Sequence, residues 1–182
     1  MPTQGETGRR PWLLLMKGPP GTGKSTIARE LGRRLGWPVI DKDDVRDLLP
    51  DELGGLSYEA MLAVARRQLQ LGMSVIADSP LGYGRSYRAA IAIANESDAR
   101  VAVIEVICSD RAQWRERIEA RRSRDLAAHH ATSWDRVEAF FARTAADPFA
   151  VVVPHVVVDT ALHGPASATD EVLRRIQGDG AL

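Results

Sequence analysis

Apolar positions along the chain follow two patterns that take turns. Short unbroken runs have the length and continuity of strands buried on both faces: "WLLLMK" (Trp12–Lys17), "PVI" (Pro38–Ile40), "SVIAD" (Ser74–Asp78), "RVAVIEVIC" (Arg100–Cys108) and "HVVVD" (His155–Asp159). Between them the spacing becomes helical. Ile27, Leu31 and Leu35 recur every fourth residue until Gly36, and Met61, Ala65 and Leu69 share one face of a helix running from about Ser57 to Gly72. An arginine-rich helix is predicted from Asp110 to about Arg124, another over "SWDRVEAFFAR" with Ser133 as N-cap, and a last one over Thr169–Ile176. The glycine-punctuated "SPLGYGRSYR" after Asp78 reads as a loop.

Alternation of this kind predicts an α/β fold with a five-stranded parallel sheet covered on both faces. Ligands of such sheets bind beyond the carboxyl ends of the strands. Residues 11–178 are expected to form one domain after a flexible leader at 1–10, and "QGDGAL" reads as a frayed end. Lys+Arg and Asp+Glu both number 24, so no global basic excess favours a nucleic-acid partner. Lysine occurs only at 17, 24 and 42; the arginine excess is read as genome composition. Cys108 is the single cysteine, which excludes an intrachain disulfide, and its apolar run suits a buried thiol. The apolar stretch behind the polar N-terminus is too short for a signal or membrane segment, so a cytoplasmic location is expected.

The first chemical signal is "GPPGTGKS", Gly18–Ser25, which fits G-x-x-x-x-G-K-[ST] in full, directly after a strand and opening a helix. In such a loop the backbone of Gly18, Pro19, Pro20, Gly21, Thr22 and Gly23 wraps an anion at a helix N-terminus, with Thr26 in the first turn. Lys24 reaches the outer phosphates and the Ser25 hydroxyl holds Mg²⁺. ATP and Mg²⁺ are the expected cofactors.

The second signal is "VIDKDDVRD", with Asp41, Asp43, Asp44 and Asp47 crowded around Lys42 and Arg46. Together the two stretches resemble the small P-loop kinases: adenylylsulfate kinase, polynucleotide 5′-kinase, zeta toxin and chloramphenicol phosphotransferase. Those proteins share an Asp near the second strand's end and an Arg three positions on, matched here by Asp43 and Arg46. The resemblance implies that Asp43 orients the attacking hydroxyl and accepts its proton, that Arg46 clamps substrate or the transferring group, and that Asp41 binds substrate or Mg²⁺-bound water. Capping of a helix is the alternative for Asp43 and the expected task of Asp44 and Asp47. Asp78 can hold Mg²⁺ through water, touch substrate or make a structural hydrogen bond, and Tyr83, Arg85 and Arg88 fall where substrate is selected. The loop sequence also resembles that of the AAA+ mechanical ATPases, but the acid those motors need beside Asp78 is Ser79 here.

Arg117, Arg121 and Arg124 fall on one helix face, where the resemblance puts a lid over the phosphates, about 115–133; a solvated charged face is the alternative. His129 and His130 lack further metal ligands at matching spacing. Trp114, Ile118, Phe140 and Phe141 are assigned to the core, and "VVVDTA" resembles the strand and turn beside the adenine. The expected activity is transfer of a γ-phosphoryl group to a hydroxyl of a small metabolite or antibiotic. A nucleic-acid 5′-end or nucleotide sugar is the alternative acceptor, and a nucleotide switch without acceptor the alternative class.

Overall fold

The computed structural model of the protein describes residues 10–122 and 132–178, without the side chains at 121, 122, 177 and 178. Five strands, β1 (Trp12–Lys17), β2 (Val39–Asp41), β3 (Val75–Asp78), β4 (Arg100–Ile107) and β5 (His155–Asp159), form one sheet in the order β2-β3-β1-β4-β5. Every pairing is parallel. The helices are α1 (Lys24–Leu35), α2 (Lys42–Asp47), α3 (Ser57–Gln70), α4 (Gly84–Glu96), α5 (Arg111–Arg122), α6 (Trp134–Thr144) and α7 (Pro165–Gly178), with a 3₁₀ helix at Asp51–Leu56.

Period-two alternation along β1 builds two cores. Trp12, Leu14 and Met16 face α1 and α7 with Ile104 and Val172; Leu13 and Leu15 face α3 and α4 with Met61, Tyr87 and Val103. Because β1 is flanked by β3 and β4, the loop that follows it emerges at the centre of the sheet's carboxyl edge. The second strand's carboxylates arrive next to the third strand's, through the register Asp41↔Asp78.

Several predicted elements change. The segment after Gly82 is helix α4, whose inner face is Tyr87, Ala90, Ile93 and Ala94; small alanines and neighbouring arginines hid its period. α7 begins at Pro165, where proline's fixed φ and missing N–H cost nothing. Ser133 does cap α6, accepting from the Arg136 N–H at 3.4 Å. Trp114 and Ile118 are buried, whereas Phe140 is half-buried and Phe141 is 48% exposed, because α6 turns that face outward. No helix among the described residues is long and apolar enough to cross a membrane.

Ile104 is fully buried at the middle of β4. Ile104→Ala should cost about 2–5 kcal/mol in urea unfolding; a loss well below that range would show that this strand is not the packed centre.

Candidate functional site

The loop between β1 and α1 is shaped by close approaches that only glycine allows. At Gly18 (φ +136) a Cβ would stand 2.2 Å from the Val106 carbonyl oxygen, and at Gly21 (φ +82) 2.7 Å from Ile118. Donors outside the loop then take up its carbonyls. Thr160 Oγ1 donates to Thr22 O at 2.9 Å, and Trp114 Nε1 to Pro20 O at 3.0 Å. Thr22 Oγ1 and Lys24 Nζ both donate to Pro19 O at 3.0 Å. The loop's own Gly18 N–H donates to Pro80 O, tying it to the segment after β3. Lys24 is only 8% exposed, because its chain folds beneath the loop.

Facing the loop are the strand-end carboxylates. A small cavity of about 80 Å³ is lined by Lys24, Ser25, Asp41, Asp43, Asp78 and the loop backbone. Asp78 is 2% exposed, and its Oδ2 is buried without a hydrogen-bond partner. Burial raises its pKa, with the Lys24 charge and Ser25 hydroxyl pulling the other way. Asp41 is pushed up to about 6, first by burial and then by the neighbouring Asp78 charge. Its side chain caps α2 by accepting from the Asp43 N–H at 2.8 Å. Asp43 is therefore free of the N-cap role, and its carboxylate meets Lys42 Nζ at 2.5 Å. Asp44 lies in the first turn of α2, but Asp47 closes the helix and gains nothing from the N-terminal dipole.

Two larger clefts flank this cavity. One, of about 540 Å³, shares Gly21 with it and runs past Thr26, Gln113, Arg117 and the Thr160–Pro165 turn. The other, of about 600 Å³, shares Pro80 and is lined by Lys42, Tyr58, Tyr83, Arg85, Phe140 and Arg143 among others. Leu81, at the junction, is buried with φ +44, a backbone strain its packed side chain offsets.

The arginines part company. Arg117 lines the first cleft, but its guanidinium donates to Thr160 Oγ1 (2.9 Å), Thr160 O (2.8 Å) and Gln113 Oε1 (2.6 Å), which fixes it to the β5 turn. Arg46 lines none of the three spaces. It donates to Leu49 O and Asp51 Oδ1 and covers Gly54, because the 3₁₀ helix offers a carboxylate that the sequence pattern did not reveal. The side chain of Arg121, together with Arg124, His129 and His130, lies outside the described residues. Tyr58, Phe140 and Arg143 were not foreseen at the site; only tertiary contact brings them there, whereas Lys42 lay in the "VIDKDDVRD" stretch and Thr160 in the "VVVDTA" turn.

No group of three or more His, Cys, Asp or Glu arranged as a metal site occurs among the described residues. Mg²⁺ keeps waters and phosphate oxygens and needs few protein ligands. The unpartnered Asp78 oxygen, the Asp41 carboxylate and the Ser25 hydroxyl are oxygen donors of the type it takes.

A protein-family model described as "AAA domain" matches residues 13–144. The chain belongs to that family. This AAA-domain chain is 36% identical over 115 residues to an uncharacterised protein of Mycobacterium tuberculosis; the match covers 53% of the chain and 23% of that relative's length. Solved structures share its fold at low identity. A proposed kinase from Chloroflexus aurantiacus has a TM-score of 0.72 at 22% identity, covering 93% of this chain and 97% of the other. A gluconokinase from Sinorhizobium meliloti scores 0.61 at 19%, covering 94% of each. The APS kinase of Mycobacterium tuberculosis, in complex with AMPPNP and APS, scores 0.63 at 14%, covering 93% and 99%. The AAA-domain chain thus has the α/β P-loop NTPase fold of small P-loop kinases.

The acidic cavity predicts a pH dependence for the ligand-free protein. An unfolded aspartate ionises near about pH 3.9, while Asp41 in the fold holds its proton to about 6. Between these values the folded chain binds more protons, so stability should fall as pH rises through that window. Asp41→Asn keeps a capping oxygen and removes the charge, so its melting temperature should fall less over the window. An equal slope in both proteins would place the acidity elsewhere.

Proposed function

We propose that the protein is an ATP- and Mg²⁺-dependent phosphotransferase that moves a γ-phosphoryl group to a hydroxyl of a small molecule. The observation that carries this reading is the order of the three spaces. A cleft beside the β5 turn suits the base and ribose, the Lys24–Asp78 cavity suits the terminal phosphate, and a second cleft opens beyond it, large enough for an acceptor. The Lys42–Asp43 pair straddles the last two: Asp43 lines the cavity and Lys42 the second cleft. A nucleotide switch has no use for that second cleft, so the acceptor-free reading is disfavoured.

In this mechanism the acceptor hydroxyl, held at the boundary, attacks the γ-phosphorus as the bond to the β–γ bridging oxygen breaks and ADP leaves. Asp43 accepts the hydroxyl proton. The loop N–H groups and Lys24 stabilise charge on the phosphoryl oxygens, and Arg117 holds the base side of the cleft in place. Mg²⁺, held by Ser25 with Asp78 and Asp41 through water, would neutralise charge on the phosphates. The lid expected at about 115–133, with Arg121, spans residues outside the described ones, so it enters no step. This reading fits a cytoplasmic enzyme of a small acceptor better than a kinase of nucleic-acid ends, given the zero net charge.

The direct test is ATP consumption screened against a library of hydroxylated metabolites and antibiotics, with phosphorylated product detected by mass. Transfer to no member, with nucleotide bound, would favour the acceptor-free class. Lys24→Ala should abolish turnover or weaken triphosphate binding; unchanged turnover would remove the phosphate-loop assignment.

Asp43→Asn separates acceptor chemistry from nucleotide binding. ATP affinity should stay within a few-fold, while transfer falls by roughly 10²–10⁴. Asp44→Asn should cost a fraction of a kcal/mol in stability and leave transfer nearly intact. Equal, small effects of the two on transfer would falsify the base assignment.

A further inference from the structure

The second cleft has a chemistry of its own. Its charged groups are Lys42, Arg85, Arg143 and one acid, Glu59. Lys42 is already balanced by Asp43. Arg85 and Arg143 are exposed, and neither guanidinium forms a salt bridge among the described residues. The nearby acid, Asp147, is engaged: it accepts from the main-chain N–H of Arg85 at 2.8 Å and pairs with Arg88 at 3.5 Å. The Arg85 guanidinium is stacked on the Tyr83 ring, 4.8 Å from its centroid, which holds the cation ready without neutralising it.

The walls are flat and apolar rather than acidic. Tyr83 and Phe140 line the cleft, and the Phe140 ring packs so close to Gly82 that a Cβ there would stand 2.8 Å from its Cζ. The Tyr58 hydroxyl donates to Ser86 O at 3.0 Å, so the phenol is committed to holding α3 against α4. Two guanidiniums facing a single acid favour an anion, whose paired oxygens match the guanidinium fork. A polyamine would meet like charge there, and an uncharged polyol would leave both arginines without a partner.

We propose that the second cleft selects a small acceptor carrying a fixed negative charge beside its hydroxyl (a carboxylate, phosphate ester or sulfate), with Arg85 and Arg143 reading the charge and Tyr83 and Phe140 bounding its ring or sugar face. This rests on the phosphotransfer reading above and narrows its acceptor.

The test uses the full-length protein with ATP, Mg²⁺ and a deproteinised, low-molecular-mass cell extract. Anion exchange divides the extract into a retained, anionic fraction and a flow-through of neutral and cationic compounds. ADP formation and new phosphorylated masses are read in each. Acceptor activity should lie in the retained fraction. The double variant Arg85→Gln/Arg143→Gln, checked for folding by circular dichroism, should need roughly ten- to a hundredfold more of that fraction for half-maximal rate. Arg85→Lys/Arg143→Lys should recover part of the loss. Activity confined to the flow-through, or a double variant that uses the retained fraction as well as the wild type, would overturn the anionic-acceptor inference and leave the phosphotransfer reading standing. Activity with neither fraction would sink the phosphotransfer reading, and this inference with it.

Discussion

The phosphate loop can turn its N–H groups toward an anion only because its carbonyls are occupied elsewhere. A free carbonyl near the cradle would present negative charge to whatever enters it. Here Pro19 O is taken by Thr22 and Lys24, Pro20 O by Trp114, and Thr22 O by Thr160. Those donors come from the loop itself, α1, α5 and the turn after β5, so the cradle's polarity draws on much of the sheet edge. The glycine at 18 completes the arrangement by letting the chain lie against the β4 carbonyl of Val106.

The carboxylates opposite the loop are the counterpart of that constraint. Asp41 and Asp78 are brought together by strand register; burial raises the pKa of both, and the Asp78 charge raises that of Asp41 further. Burial and a missing hydrogen-bond partner at Asp78 are features a fold keeps when a bound cation or water relieves them. The crowding at Asp41–Asp47 thus resolves into distinct tasks: Asp41 caps α2 beside Asp78, Asp43 faces the cavity, Asp44 enters the first helical turn and Asp47 ends the helix.

Much of this was legible in the sequence, because strands buried on both faces leave unbroken apolar runs and the glycine–lysine loop needs a fixed spacing. The five strands and the loop follow directly from "WLLLMKGPPGTGKS" and its successors. Helix α4 did not, since its inner face depends on Ala90 and Ala94, whose burial the residue type does not announce. The contact of Arg46 with Asp51 was not legible, because a motif gives position in the chain but not rotamer, and Asp51 lies outside the motif. Arg143 and Phe140 had no signal at all: they reach the second cleft through the packing of α6 against the loop after β3.

The chain of contacts from Arg117 through Thr160 to Thr22 ties the cleft beside the β5 turn to the phosphate loop. One threonine hydroxyl accepts from the arginine that lines the cleft and donates to a loop carbonyl. The two surfaces therefore share a joint. Under the proposed function, with the base in that cleft and the phosphates at the loop, thermodynamic reciprocity returns to the grip on the base whatever factor a well-fitted base adds to the grip on phosphate. Discrimination between nucleotides would then be a property of the joint rather than of either surface.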